Sequence, residues 1–212
     1  MLAVAVPLAG LAAMASPSSA TPVSATGSVT CSYGTTFSFS PALKPGRGKV
    51  VPAGTKEVIT IAPATLGSCT GTATSGTVPT SGLGTKSITV TMPAIVENNI
   101  WHAGGCDSLA TFAPKLNAKT NTAKFDWTPS SDGVTKAPVT AVSPLGGGGP
   151  SPYYYDFSGT AKGSFNGPVS IDAVFDSASS TELMDCIGNV AGSPHISTLT
   201  VDPTQSSIAL AG

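Results

Sequence analysis

Short runs of alternating apolar and polar residues recur along the chain between residues 36 and 202. In each run every second side chain is apolar, and the residues between them are mostly Thr and Ser. A period of two over four to eight residues is typical of β-strands that bury one face, and Thr and Ser fit the solvent-facing side of a pleated sheet. The apolar positions that this pattern predicts to be buried are Phe37, Phe39, Ile88, Val90, Ile171, Phe175, Leu199 and Val201.

Turn-forming residues separate these runs. Clusters of Gly, Pro, Ser and Asp occur at residues 81–84, 131–133 and 146–150, among others. Such residues supply the backbone dihedral angles that tight turns require. About 8–11 strands joined by turns predict an all-β protein, an immunoglobulin-like or jelly-roll-type β-sandwich, with a single domain over residues 26–212.

One segment has a helical pattern. Ser179 and Glu182 have the spacing of a capping box, apolar residues follow, and Gly188 ends the pattern. The sequence therefore predicts at most one short helix, leading into Cys186, although a strand is the alternative for this segment.

The first 25 residues differ from the rest. Residues 2–15 carry no charge and are almost all Leu, Ala and Val, and small residues follow at 18–20 and 23–25. This pattern predicts a secretory signal peptide over residues 1–25, cleaved near residue 20 or residue 25. The alternative is a membrane anchor, but the apolar run of about 14 residues is shorter than the roughly 20 that span a bilayer. We therefore expect a secreted protein, extracellular or associated with the cell envelope, with no membrane span after removal of the signal.

Cysteine spacing predicts how the exported chain is cross-linked. An even number of cysteines in an exported chain predicts disulfides, and of the three possible pairings we favour one in which each bond closes a non-crossing loop large enough to return to a neighbouring strand. The alternative is a zinc site, but the spacings of His102 and His195 from the cysteines match no structural zinc class. We therefore expect no metal site. The favoured pairs are Cys31–Cys69 and Cys106–Cys186.

Charge is sparse and nearly balanced. Only 10% of the residues are charged, with ten Lys and Arg against eleven Asp and Glu, whereas about a quarter is usual for a soluble domain. This balance argues against nucleic-acid binding, which requires a basic surface. The hydrophobic fraction of 41% argues against a disordered chain.

Several short segments occur in a characteristic order. They are GSVTCSYGTTFSFSPAL at 27–43, LGSCTGT at 66–72, GCDSL at 105–109, FDWTP at 125–129, GTAKGSFNG at 159–167 and ISTLTV at 196–201. In this order they resemble a group of uncharacterised secreted proteins from actinobacteria. The resemblance implies an exported, disulfide-stapled β protein, and it carries over no catalytic residue and no cofactor.

Catalytic patterns are weak. A Ser-His-Asp triad would have to use His102 or His195. Asp172 and Asp176 lie about 13 Å apart along one strand, too far for the carboxylate pair of a glycosidase. We therefore predict a non-catalytic structural or binding protein without a cofactor, and the alternative is a secreted hydrolase that acts on envelope or host polymers. A histidine that contacts both a serine and a carboxylate would favour the hydrolase, and two isolated surface histidines would favour the binding protein.

Aromatic residues provide the candidate binding surface. Three tyrosines follow the segment 146–152, which begins with four consecutive glycines and is predicted to form a flexible loop. Aromatic side chains are enriched at binding surfaces, and their apolar faces suit sugars or partner side chains. We therefore predict an extracellular protein or a glycan as the partner. The alternatives are a core strand for the tyrosines and packing over a disulfide for the tryptophan. The candidate residues are Trp101, Tyr153, Tyr154 and Tyr155.

Overall fold

The computed structural model describes residues 26–75, 78–111, 114–116, 121–128 and 133–211. The predicted signal peptide, residues 1–25, lies outside them, as do Ser131 and Asp132 of a predicted turn.

The described residues form seventeen strands and two helices. The first nine strands are β1 (Thr26–Gly34), β2 (Thr36–Leu43), β3 (Lys49–Val51), β4 (Lys56–Ile61), β5 (Thr65–Ser75), β6 (Ser81–Gly84), β7 (Ile88–Pro93), β8 (Ile95–Glu97) and β9 (Ile100–Ala103). The remaining elements are α1 (Cys106–Thr111), β10 (Lys115–Leu116), β11 (Thr122–Thr128), β12 (Val134–Val142), β13 (Gly146–Gly148), β14 (Ser151–Gly163), β15 (Gly167–Val174), α2 (Ser177–Ile187), β16 (Ile196–Thr200) and β17 (Ser207–Ala211).

The largest sheet closes on itself. Its nine strands follow the order β12-β11-β6-β5-β1-β17-β15-β14-β13, and β12 pairs with β14 as well as with β11. Eight of these strands therefore form a closed barrel, which corrects the predicted β-sandwich. Alternation along a strand does not distinguish the two architectures, because both bury every second side chain. Two further sheets have the orders β10-β7-β4-β2-β16 and β3-β9-β8.

The numbers of strands and helices also differ from the prediction. Four of the seventeen described strands, β3, β8, β10 and β13, contain only two or three residues each, too few for a period of two to be recognised. The other thirteen still exceed the predicted 8–11. The described chain has two helices where at most one was predicted. The unpredicted helix, α1, has six residues, which is less than two turns.

The strand faces agree with the prediction. All eight apolar positions predicted to be buried are buried, and side chains of the barrel and of the five-stranded sheet meet in one hydrophobic core. Phe37 of β2 lies at the junction. Its ring centroid is 6.1 Å from that of Tyr155 in β14 and 5.2 Å from that of Phe175, which it meets edge-on. These ring contacts join the five-stranded sheet to the barrel.

The two predicted disulfides are confirmed. Cys31 of β1 is bonded to Cys69 of β5, and Cys106 at the start of α1 is bonded to Cys186 of α2. All four cysteines are therefore paired. The first bond links neighbouring barrel strands, and the second fixes the two helices to each other.

The segment after β2 crosses the segment that leads into α1 at close range. The Lys44 N–H donates to the Gly104 carbonyl, and the Cys106 N–H donates to the Lys44 carbonyl. A Cβ on Gly105 would lie only 2.1 Å from the carbonyl carbon of Arg47, so only glycine allows this approach. The crossing joins the segment between β2 and β3 to the segment between β9 and α1.

Candidate functional site

The glycine-rich segment, predicted from its composition to be a flexible loop, forms a β-hairpin with the start of β14. A Cβ on Gly146 would lie 2.3 Å from Cζ of Tyr154, and a Cβ on Gly148 would lie 3.1 Å from the ring of Tyr153. The glycines therefore leave room for two tyrosine rings that pack directly on the hairpin backbone.

A cleft of about 230 Å³ lies between this hairpin and α2. We call it the hairpin cleft. Its lining comprises residues 149–153 of the hairpin, Ser177, Ser180, Thr181 and Met184 of α2, and Gln205.

Hydrogen bonds hold the two walls of the hairpin cleft in place. The Tyr153 N–H donates to Oγ of Ser180 (3.2 Å), which ties the hairpin to α2. At the start of α2, the Asp176 carboxylate accepts the Ser179 N–H at 2.7 Å. The helix thus begins after Asp176 and not at the predicted capping box, because Asp176 is itself a favoured N-cap residue. Ser179 Oγ instead accepts the Thr200 N–H of β16 (2.9 Å).

The hairpin cleft is uncharged, and its lining is partly polar and partly apolar. None of its described lining residues carries a charge, and five of them contribute hydroxyl groups. Two carboxylates lie beside it. Asp176 caps α2, and Asp202 accepts a hydrogen bond from the Gln205 amide (2.8 Å). Hydrogen bonds from Gln205 and Thr204 hold the pKa of Asp202 below its usual value. The surroundings therefore disfavour an anionic ligand.

The structure separates the four predicted surface aromatics. Tyr153 lines the hairpin cleft. Tyr154 is half-buried, with its ring over Gly146. Tyr155 is fully buried in the core, which corrects its assignment to the surface: its ring fills the space beside Phe37. Trp101 is half-buried in β9 and does not line the cleft.

The α2 residues of the hairpin cleft were not identified from the sequence. Ser177, Ser180 and Thr181 are separated from Tyr153 by more than twenty residues, and only tertiary packing brings them together. The sequence feature that could have identified them was the predicted helix, because it places several Ser and Thr side chains on one short element. Nothing in local periodicity shows which strand that element packs against.

The residues considered for catalysis are not brought together. Among the described residues, neither His102 nor His195 forms a hydrogen bond or ion pair with a serine or a carboxylate. Asp172 lies opposite Asp156 across β14 and β15, and Asp176 caps α2. Partial burial, followed by the charge of Asp156, raises the pKa of Asp172. His195 is exposed, whereas His102 is half-buried in β9.

One carboxyl group was missed in the sequence. Glu57 of β4 is only 2% exposed, and neither of its carboxylate oxygens has a hydrogen-bond partner. Burial raises its pKa from 4.5 to about 7, although the backbone amide of Gly104 partly opposes this rise. The sequence contained a signal for this burial. Glu57 lies two and four residues before the buried Ile59 and Ile61, so the three side chains share one face of β4.

We expect Glu57 to make stability depend on pH. The folded state favours the protonated carboxyl, so the free energy of unfolding should fall as pH rises from about 4.5 to about 7. At about 1.4 kcal/mol per pKa unit, the loss is about 3 kcal/mol. Glu57→Gln should abolish this loss, as measured by urea unfolding at about pH 5 and about pH 8. Glu182→Gln, at an exposed position of α2, is the control. Parallel pH profiles for the wild type and Glu57→Gln would contradict the expectation.

Two glycine substitutions should separate steric from conformational effects in the hairpin. Gly147→Ala would place its Cβ 2.0 Å from the Pro152 carbonyl oxygen at a φ of +84°, so we expect a loss of about 3 kcal/mol in the free energy of unfolding. At Gly149, where φ is +66°, no atom lies within 4 Å. Gly149→Ala should therefore cost only about 1 kcal/mol. Equal losses in denaturant unfolding would show that the close approach at Gly147 does not limit the hairpin.

No protein-family model, no curated protein and no solved structure matches this chain. Within the described ranges, no group of three or more His, Cys, Asp and Glu side chains is arranged to hold a metal ion. None of the described helices has the length and apolar character needed to cross a membrane.

Proposed function

We propose that this protein is a secreted, non-catalytic binding protein of the extracellular space or cell envelope, and that the hairpin cleft holds one unit of an uncharged, hydroxyl-rich ligand, a neutral glycan. The observation that carries the proposal is the chemistry of the cleft, which combines five hydroxyl groups, one amide and no charge. Two disulfides are compatible with an extracellular location.

Hydroxyl and amide side chains suit a sugar because they can donate and accept hydrogen bonds. Sugar hydroxyl groups have the same dual character. In this cleft the Ser180 and Thr181 hydroxyls already donate to backbone carbonyls, so they offer a ligand acceptor sites only. The tyrosine and proline side chains of the hairpin offer apolar contact to the C–H face of a sugar ring. Asp176 and Asp202 beside the cleft would repel an acidic sugar. This combination favours a neutral over an anionic glycan.

The size of the cleft limits what it encloses. Pockets that enclose drug-sized ligands have volumes of roughly 300–1,000 Å³, and the hairpin cleft is smaller, at about 230 Å³. It therefore fits a single ring of a longer chain. Contact with one ring implies modest affinity for each site, and several sites on a polymer would strengthen attachment by multivalency.

A non-catalytic role is supported by the same lining. General acid–base catalysis requires a positioned group such as His, Asp, Glu, Lys, Cys or Tyr. The described lining has none of these except Tyr153, whose backbone rather than its hydroxyl contacts Ser180. Hydrolysis usually requires a general acid together with a general base, and the described lining offers at most the Tyr153 hydroxyl.

A matched pair of arginine substitutions in α2 tests the proposal. Thr181→Arg would fill the hairpin cleft with a large cation, whereas Glu182→Arg changes the adjacent residue, which does not line it. On a panel of immobilised neutral and anionic oligosaccharides, the wild type and Glu182→Arg should bind neutral members. Thr181→Arg should bind them at least about tenfold more weakly, equivalent to about 1.4 kcal/mol. Undiminished binding by Thr181→Arg, a preference for anionic members, or binding to no member would refute the proposal.

A further inference from the structure

The three-stranded sheet has an open edge at β8. β9 lies in the middle, and β8 pairs with β9 alone. Asn98 and Asn99 have φ values of +49° and +64°, which fit a two-residue hairpin turn of type I′. The pair that closes such a turn, Glu97 and Ile100, is hydrogen-bonded, and hydrogen-bonded pairs alternate along an antiparallel ladder. Val96 therefore turns its N–H and C=O towards the open edge.

This edge is unpaired within the described chain. No described backbone group forms a hydrogen bond with Val96 outside the sheet. The Val96 side chain is also 50% exposed, and Ile100 in the next strand is 46% exposed. The two side chains lie on opposite faces of the sheet, because Ile100 pairs with Glu97 and Val96 pairs with Trp101, and each offers apolar contact area. Both the backbone and the side chains of β8 are therefore available to a partner.

A groove of about 490 Å³ runs beside this edge, between β8 and α1. We call it the β8 groove. Its apolar wall is formed by Ile95, Val96, Ala110 and Ile187. An extended chain placed here would pair with the Val96 backbone and lay alternate side chains against this wall.

The β8 groove carries an excess of negative charge. Arg47 forms an ion pair with Glu97 at its rim. Asp107, at the start of α1, also lines the groove. Burial raises the pKa of Asp107, and the charge of Arg47 partly opposes the rise. The groove therefore has one guanidinium and two carboxylates, so a cationic side chain on the partner would neutralise the remaining negative charge.

We propose that the open edge of β8 binds an extended polypeptide segment of a partner protein, which adds a strand in the β8 groove and places a Lys or Arg side chain opposite Asp107. Strand addition at an exposed sheet edge is an established mode of peptide recognition, in which main-chain hydrogen bonds provide affinity and alternate side chains provide specificity. Val96 supplies the main-chain groups, and Asp107 supplies the preference for a basic segment. Trp101 pairs with Val96 and shares its side of the sheet, so it would flank the added strand.

The probe is a capped pentapeptide, Val-Lys-Val-Lys-Val, titrated into the ¹⁵N-labelled protein, with Val-Glu-Val-Glu-Val as the control peptide. The basic peptide should cause saturable amide shifts in β8 and α1 with a dissociation constant in the millimolar range, and the acidic peptide should bind at least about tenfold more weakly. Asp107→Asn should weaken the basic peptide several-fold. Asp126→Asn, on the exposed side of β11, should not.

A second variant tests the backbone contact. Val96→Pro removes the N–H at the open edge, where proline is tolerated in a sheet, and should abolish the shifts while the rest of the spectrum is retained. If Val96→Pro unfolds the small sheet, the peptide can be changed instead. N-methylation of its central valine and its second lysine removes the N–H donors that would pair with β8, and should likewise abolish the shifts. Absence of saturable shifts, equal binding of both peptides, or binding unaffected by these changes would overturn the proposal.

Discussion

Removal of the Cys106–Cys186 disulfide should lower the free energy of unfolding by about 4–5 kcal/mol. The bond closes a loop of 80 residues, and in the chain-entropy model its loss restores that much conformational freedom to the unfolded chain. The Cys106→Ala/Cys186→Ala double variant avoids free thiols, and urea unfolding gives the change. Both cysteines are fully buried, so the small cavities left behind add to the loss.

The matched control is the Cys31→Ala/Cys69→Ala variant. Its loop of 38 residues predicts a slightly smaller loss, about 4 kcal/mol. Hydrogen exchange should distinguish the two variants by location. Loss of the Cys106–Cys186 bond should increase amide exchange in α1 and α2, and loss of the Cys31–Cys69 bond should increase it in β1 and β5. A loss below about 1 kcal/mol for either pair would contradict the stapling role assigned to it.

Phe37→Ala should destabilise the protein by about 3–5 kcal/mol, the usual cost of truncating a buried phenylalanine. The Phe37 ring contacts the rings of Tyr155, Phe157 and Phe175, so its removal leaves a cavity where the two large sheets meet. Leu83→Ala, at a side chain that is 57% exposed, should cost less than about 0.5 kcal/mol. Denaturant unfolding measures both, and similar values for the two variants would show that Phe37 does not join the sheets.

Local pattern predicted the strand faces well because alternation is a local property. Ile171 and Leu199, for example, lie in separate strands of separate sheets, and each is buried as its own neighbours predict. The disulfide pairing was predicted from loop topology. Closure of the barrel was not, because it depends on the pairing of β12 with β14, and a strand pattern does not specify its partner.

The candidate site was predicted only in part, for a related reason. The glycine run and Tyr153 are visible in the sequence, but Ser180 is brought to them only by the packing of α2 on the hairpin. Tyr153 and Tyr155 lie on the same face of the strand, and alternation alone does not show whether that face contacts solvent or the core. Glu57 was missed although its position in the alternation places it inside, since charged residues are rarely buried without a partner.

The most direct test of the account is to locate a bound neutral oligosaccharide by amide shifts in the ¹⁵N-labelled protein. The account predicts saturable shifts at Gly149–Tyr153 and along Ser177–Met184, the two walls of the hairpin cleft, and no change at β8. Shifts confined to another surface, or their absence with every neutral oligosaccharide tested, would contradict it.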